Sequence, residues 1–169
     1  MIRLSLASKA KTLEILAPHL TKAKILPLIR FSVNEYQTEP ERYLSDISRT
    51  SWARVIVRSS SHNEDNEHTS NAGGFDSIMN VSSSSQEELD TAIRTVIESY
   101  GEDTDGYDEV FVQPMLRNVT MSGVVFSADL DTLSPYYIIN YDESGSTSSV
   151  TGGSGANLKT FISFKANNS

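Results

Sequence analysis

Apolar residues first recur at helical spacing between residues 8 and 20, where Ala10, Leu13, Leu16, Ala17 and Leu20 share one stripe. Pro18 interrupts that stripe, so the predicted helix ends or kinks near Ala17. From Ile25 to Val33 the pattern turns apolar and β-branched, an extended segment that Pro27 confines to an edge or irregular strand. Thr38-Glu39-Pro40-Glu41 has the form of a capping box with proline in the first turn. It predicts a short helix presenting Tyr43, Leu44 and Ile47. Val55-Ile56-Val57 predicts a short buried strand running into a polar loop, and Ser77 to Val81 a second extended piece. Ser85 and Glu88 form another capping box. Behind it Leu89, Ala92, Ile93, Val96, Ile97 and Tyr100 step by three and one, a strongly amphipathic helix that Gly101 is placed to stop.

The acidic stretch from Glu102 to Glu109 carries five carboxylates and predicts a solvated loop, since the ligand spacing of a calcium-binding EF-hand is missing. The last third is strand-rich: Val110 to Met115, Gly123 to Ser127, Tyr136 to Asn140 and Phe161 to Lys165 all favour β-structure. A Gly/Ser/Thr-rich stretch from Glu143 to Gly155 separates the last two as a turn or loop. Helices in the first half and consecutive strands in the second predict an α+β domain with a largely antiparallel sheet, in two small lobes spanning about 1–83 and 84–169.

Composition narrows the chemistry. With 22 acidic against 14 basic side chains the net charge is −8, which argues against nucleic acid as a partner. The chain has no cysteine, which removes disulfides, thiolate catalysis and cysteine-ligated zinc. No run approaches the ~18 to 20 apolar residues that span a bilayer, and the first residues lack the apolar stretch of a secretory signal. A soluble cytoplasmic protein is the expectation.

The most informative segment runs from Val57 through Arg58-Ser59-Ser60-Ser61 to Glu64-Asp65, then Ser70-Asn71-Ala72-Gly73-Gly74. A strand delivers an arginine at its end, and a hydroxyl-rich loop leads to two adjacent glycines. Arginine offers a planar fork to phosphate oxygens, and paired glycines let backbone N–H groups approach an anion. The same residues equally suit a polar surface loop in which Arg58 pairs with Glu64 or Asp65. His62 and His68 lie in that loop, and His19 in a helical context, none in a phosphocarrier motif. Lys11 reads as a solvated helix residue and Trp52 as packing. No Gly-x-Ser-x-Gly elbow of a serine hydrolase occurs.

Four elements in order resemble the nucleotide-binding domain of phosphoenolpyruvate synthases and pyruvate phosphate dikinases. Val57-Arg58-Ser59-Ser60, Glu64-Asp65, Ser70 to Gly73 and Met79-Asn80-Val81 resemble that family's Val-Arg-Ser-Ser strand end, acidic pair, Ser-x-Ala-Gly loop and Leu-Asn-Val strand. Ala7-Ser8-Lys9-Ala10-Lys11-Thr12-Leu13 resembles its Gly-Gly-Lys-x-x-x-Leu element, in a register that selects Lys9. Val112-Gln113-Pro114-Met115 resembles its Val-Gln-Lys-Met strand, and Ser122 to Ser127 its Ser-Gly-Val-x-Phe-Thr strand. With Tyr137 to Asp142, the pattern is also similar to the narrower group of bacterial L-glutamine kinases.

The resemblance implies an ATP-grasp-like fold binding Mg-ATP. Lys9 and Arg58 would hold phosphate oxygens, Arg58 with a catalytic role, the Gly73-Gly74 loop would cover them, and Gln113 would lie near the base. It also implies a parent enzyme in which a phosphoryl group from ATP passes to a histidine on a separate C-terminal domain and on to a small acceptor, releasing AMP and phosphate. This chain would be the N-terminal ATP-binding part, a partial domain inactive by itself, with the Mg²⁺ ligands outside it. Departures favour an alternative, a non-catalytic binding or regulatory module that keeps the fold. The family's Arg-Asp-Pro after the Phe-Thr strand is replaced by Ala128-Asp129-Leu130, and its Gly-Leu-Gly-Glu segment by Asp142 to Thr147.

Overall fold

The structure, a computed structural model, describes residues 8–61, 77–101, 106–145 and 158–165, together with the backbone of 65–66 and 69–70. The chain divides into two compact units, Met1–Met115 and Leu116–Ser169.

In the first unit, strands β1 (Ile29–Ser32), β2 (Arg54–Ser60), β5 (Ser77–Ser82) and β6 (Glu109–Pro114) form one sheet in the order β1-β6-β2-β5, antiparallel throughout. Asp65–Asn66 (β3) and Thr69–Ser70 (β4) pair as a small ribbon in the connection between β2 and β5. The helices are α1 (Lys9–Leu16), which continues as a 3₁₀ turn over Ala17–His19, α2 (Val33–Thr38), α3 (Pro40–Ser48) and α4 (Gln86–Glu98). The tightening at Ala17 is the expected effect of Pro18, whose missing N–H cannot continue the ladder. β1 begins only after Pro27 and lies at the sheet edge, as a proline-limited strand should.

Residues opposite one another in an antiparallel pair point to the same face, so the register sorts this sheet into two faces. On one, Phe31, Val55, Val57, Val110 and Val112 pack with Tyr36, Tyr43, Leu44 and Ile47 of α2 and α3 and with Leu89, Ala92, Ile93 and Val96 of α4. Fully burying one such side chain stabilises the fold by roughly 1.5–3 kcal/mol, which makes this face the core of the unit. Phe31 meets Tyr43 at 4.6 Å and Tyr36 at 5.2 Å between ring centroids, and Trp52 packs against the rim. On β5, Val81 and Ile78 both face this core although three residues apart, because Asn80 adopts φ 63° in a bulge opposite Val55 and Val57. Without the extra residue, one of the two would turn outward.

Several local expectations are corrected. The capping box forms one helix earlier than the sequence pattern indicated: Ser32 Oγ accepts from Glu35 N at 3.2 Å, and Ser32 N donates to Glu35 Oε2 at 2.7 Å, opening α2. Thr38 is itself the last residue of that helix and donates its hydroxyl to Asn34 O at 2.8 Å, so it cannot cap α3. Glu39 takes the N-cap position of α3 with Pro40 at the start. At α4 only half of the Ser85/Glu88 box forms. Ser85 Oγ accepts from Glu88 N, but the Glu88 carboxylate accepts from Ser82 N at 2.9 Å instead of from Ser85. Of the acidic stretch, 102–105 lie outside the described residues, but Asp108 and Glu109 are buried and Glu109 opens β6, so that end is not solvated loop. Gly106 (φ 76°) precedes them; a Cβ there would meet the Asn34 side chain at 2.4 Å.

The expected boundary between residues 83 and 84 falls inside the first unit, because α4 packs on β2 and β5 and β6 inserts between β1 and β2. The break comes instead where β6 ends. The second unit is a three-stranded antiparallel sheet, β7 (Ser122–Phe126), β8 (Tyr136–Asp142) and β9 (Lys159–Phe164), in sequence order. Gly123 lies so close to β8 that a Cβ would stand 2.7 Å from the Asn140 carbonyl oxygen. The α+β, largely antiparallel architecture read from the sequence therefore holds for the chain, with helices on an antiparallel sheet in the first unit and an antiparallel sheet in the second. Among the described residues no helix is long and apolar enough to cross a membrane.

Candidate functional site

The second face of the four-stranded sheet carries the polar chemistry. Arg30, Phe111 and Arg58 are cross-strand neighbours on β1, β6 and β2, so they form one row. Phe111 is fully buried, and the Arg58 guanidinium lies 5.4 Å from its ring centroid, a cation–π distance. One step along the strands Glu109 stands opposite Ser60, and in the other direction Gln113 stands opposite Ile56. The alternation that buries Val110 and Val112 on the core side thus turns Glu109, Phe111 and Gln113 to this one.

Helix α1 is fastened over the Ser60–Glu109 end of the row. Ser8 is its N-cap: its hydroxyl accepts from Lys11 N at 3.3 Å and donates to Glu109 Oε2. Ala10 N, one of the first-turn donors without a helical partner, donates to Ser60 Oγ at 2.9 Å. Ala10 is fully buried, while Leu13 and Leu16 are only partly covered. Arg30 donates to Glu109 Oε1 and, through Nε, to Glu14 Oε2 at 3.3 Å, tying the middle of α1 to the edge strand. Burial disfavours the Arg30 charge, yet Glu109 and Glu14 outweigh it and hold the guanidinium above its ordinary pKa. A guanidinium so engaged on two carboxylates is not offered to an anion.

Tyr100, just beyond α4, reaches the same strand end from the core side. Ser60 N donates to its hydroxyl at 2.9 Å, and the hydroxyl donates to Glu109 O. The phenol thus sits in the ladder between β2 and β6 where the loop after β2 departs.

Of the residues singled out from the sequence, Arg58 lies on this face and Lys9 lies in the first turn of α1, between the two residues bonded to its far end. Both side chains are half-buried. Gln113 also lies on this face, but buried, with Nε2 donating to Leu26 O at 3.2 Å. It therefore secures the segment before β1. Gly73 and Gly74 lie outside the described residues, as do His62, Glu64 and His68, and of Asp65 only the backbone is described. Lys11 is half-exposed and pairs with Glu14 at 3.7 Å. In the second unit, Asp129 closes its own turn: Oδ1 accepts from Asp131 N, Thr132 N and the Thr132 hydroxyl, which hold the carboxyl below its ordinary pKa. Among the described residues no group of three or more His, Asp or Glu side chains is arranged to hold a metal ion.

Sequence reasoning missed Ser8, Arg30 and Glu109 as parts of this face, and Tyr100 as its support from the core side. The period of two through Glu109, Phe111 and Gln113 was the available signal for Glu109. Arg30 and Tyr100 gave none, because Glu109 lies 79 positions from Arg30 and Ser60 lies 40 from Tyr100.

The sequence matches the family profile described as "Pyruvate phosphate dikinase, AMP/ATP-binding domain" over residues 29–154. The matched stretch contains Arg58 and Gln113 and begins after α1, so Lys9 lies outside it. A comparison with curated proteins gave no match.

Proposed function

The chain belongs to the pyruvate phosphate dikinase AMP/ATP-binding domain family, and from that premise we propose that it binds ATP with the phosphates against the Arg58 face of the four-stranded sheet. The observation that carries this reading is the bond from Ala10 N to Ser60 Oγ. It ties the first turn of α1, with Lys9 in it, to the end of the strand that bears Arg58. The backbone next to Lys9 is thereby bonded to Ser60, two residues after Arg58.

In this proposal Arg58 supplies a planar fork to phosphate oxygens and keeps its orientation through the Phe111 ring. Lys9 acts as a point charge at the helix start, and the Gly73-Gly74 loop follows from β2 to cover the phosphates. Gln113 would lie on the base side, its Nε2 bonded to Leu26 O. The described residues do not fit a magnesium site, and Glu109 is committed to Ser8 and Arg30, so Mg²⁺ ligands are assigned elsewhere. ATP supplies the phosphoryl group. In the wider proposal it travels through a histidine on a separate domain of an ATP-grasp-type, cytoplasmic phosphotransferase to a small acceptor, the L-glutamine kinase-like group being one subgroup its pattern is similar to.

One observation favours a second reading, a module that binds without turnover. Where the family carries a phosphate-side arginine this chain has Ala128, and the neighbouring Asp129 is used up in its own turn. Titration with Mg-ATP separates these readings from an unrelated acidic module. A charge-assisted hydrogen bond is worth about 1.5–3 kcal/mol, so Arg58→Ala and Lys9→Ala should each weaken binding roughly tenfold to a hundredfold. Lys11→Ala should change it little. Equal affinity of all four proteins removes the phosphate role from Lys9 and Arg58.

A further inference from the structure

We propose that Glu109 is a positioning residue for the nucleotide site, acting through Ser8 to fix the first turn of α1 and so the placement of Lys9. The inference rests on the ATP-binding reading above and adds a residue that nothing in the sequence assigned to it.

A glutamate beside a phosphate site is at first sight misplaced, because a carboxylate repels the ligand. Its partners resolve the conflict. Oε1 accepts from Arg30 and Oε2 accepts from the Ser8 hydroxyl, so the charge is balanced within the protein and both oxygens are occupied. The Glu109 side chain is only 11% exposed, which removes competition from water for those bonds. Ser8 in turn uses its oxygen as the acceptor for Lys11 N, so one hydroxyl joins the strand carboxylate to the helix start. With Ala10 N on Ser60, the residues on either side of Lys9 are each bonded to a different strand of the sheet. Lys9 has little freedom to shift while both bonds stand. The Arg30–Glu14 contact adds a third tie one turn further along. Lysine has a flexible four-carbon stem, so fixing its backbone is the means the protein has of aiming it.

The test uses the 169-residue chain and two readouts, Mg-ATP affinity by titration calorimetry and hydrogen exchange of the α1 first-turn amides. Ser8→Ala removes the tie without exposing a buried cation and is the primary variant; Glu109→Ala is the second. Both are expected to accelerate exchange in the first turn of α1 and to weaken Mg-ATP about tenfold, the effect of losing one well-placed bond. Glu109→Gln keeps an acceptor for Ser8 and is expected to recover most of the loss. In a Lys9→Ala background, Ser8→Ala should cost no further affinity, because its effect runs through Lys9. Unchanged affinity in Ser8→Ala and Glu109→Ala, or a full additional loss in the Lys9→Ala background, would overturn the positioning role. Wild-type chain that protects these amides yet binds no Mg-ATP would overturn the nucleotide reading itself and the role built on it.

Discussion

Arg30 and Arg58 flank the same phenylalanine in different surroundings. Arg30 is bonded to Glu109 and Glu14, and Arg58, two residues before the end of β2, lies over the Phe111 face. Replacing Arg30 with methionine should therefore weaken Mg-ATP by leaving the Glu109 charge unbalanced beside the phosphates. Adding Glu109→Gln should restore affinity by removing that charge. Calorimetric titration of the single and double variants checks this, and a double variant as weak as Arg30→Met would contradict it. Tyr100 offers a stability counterpart. Tyr100→Phe leaves Ser60 N and Glu109 O without their shared partner, and losing such a buried bond costs about 1–3 kcal/mol. Urea denaturation should show a lower midpoint with unchanged slope.

Among the elements, α2 teaches most about what the sequence reveals. Its capping box makes Ser32→Ala the damaging substitution, by about 0.5–2 kcal/mol, while Thr38→Ala should be nearly silent. That ranking reverses the one the Thr38-Glu39-Pro40-Glu41 pattern suggests, and thermal melts of the two variants decide it. The Glu35 carboxyl is held below its ordinary pKa chiefly by the Ser32 backbone N–H. A depressed folded value means stability that is present above the unfolded pKa and is lost as pH falls through the folded one. The advantage of wild type over Glu35→Gln should therefore be full at neutral pH and close in acid. Helical spacing made α4 legible, and extended apolar runs made β2, β5 and β6 legible as strands, because those patterns are local. The helix at 33–38 was not, since Ser32 to Thr38 carries only Val33 and Tyr36 as buried positions and reads as the tail of a strand. The two-face division of the sheet was equally hidden. It depends on β6 slotting between β1 and β2, a long-range pairing that no local pattern records.

For the molecule as a whole, a net charge of −8 should repel a polyanion, so affinity for ATP has to arise from a local arrangement that overcomes the general field. In the proposal it lies on the Arg58 face, where the first turn of α1 is bonded to the end of β2 and Glu109 is balanced by Arg30. Arg58 could be proposed from the sequence because a strand followed by a hydroxyl- and glycine-rich loop is a local pattern. The carboxylate that organises the helix beside it could not, because its partners lie 79 and 101 positions away. The most direct measurement is a nitrogen–proton correlation spectrum of the isotopically labelled chain, titrated with Mg-ATP. The account predicts saturable shifts confined to the first turn of α1, to Arg58 through Ser61 and to the Phe111 region of β6, with the amides of α3 unmoved. A titration that moves none of these residues, or that moves α3 and leaves Arg58 in place, would contradict it.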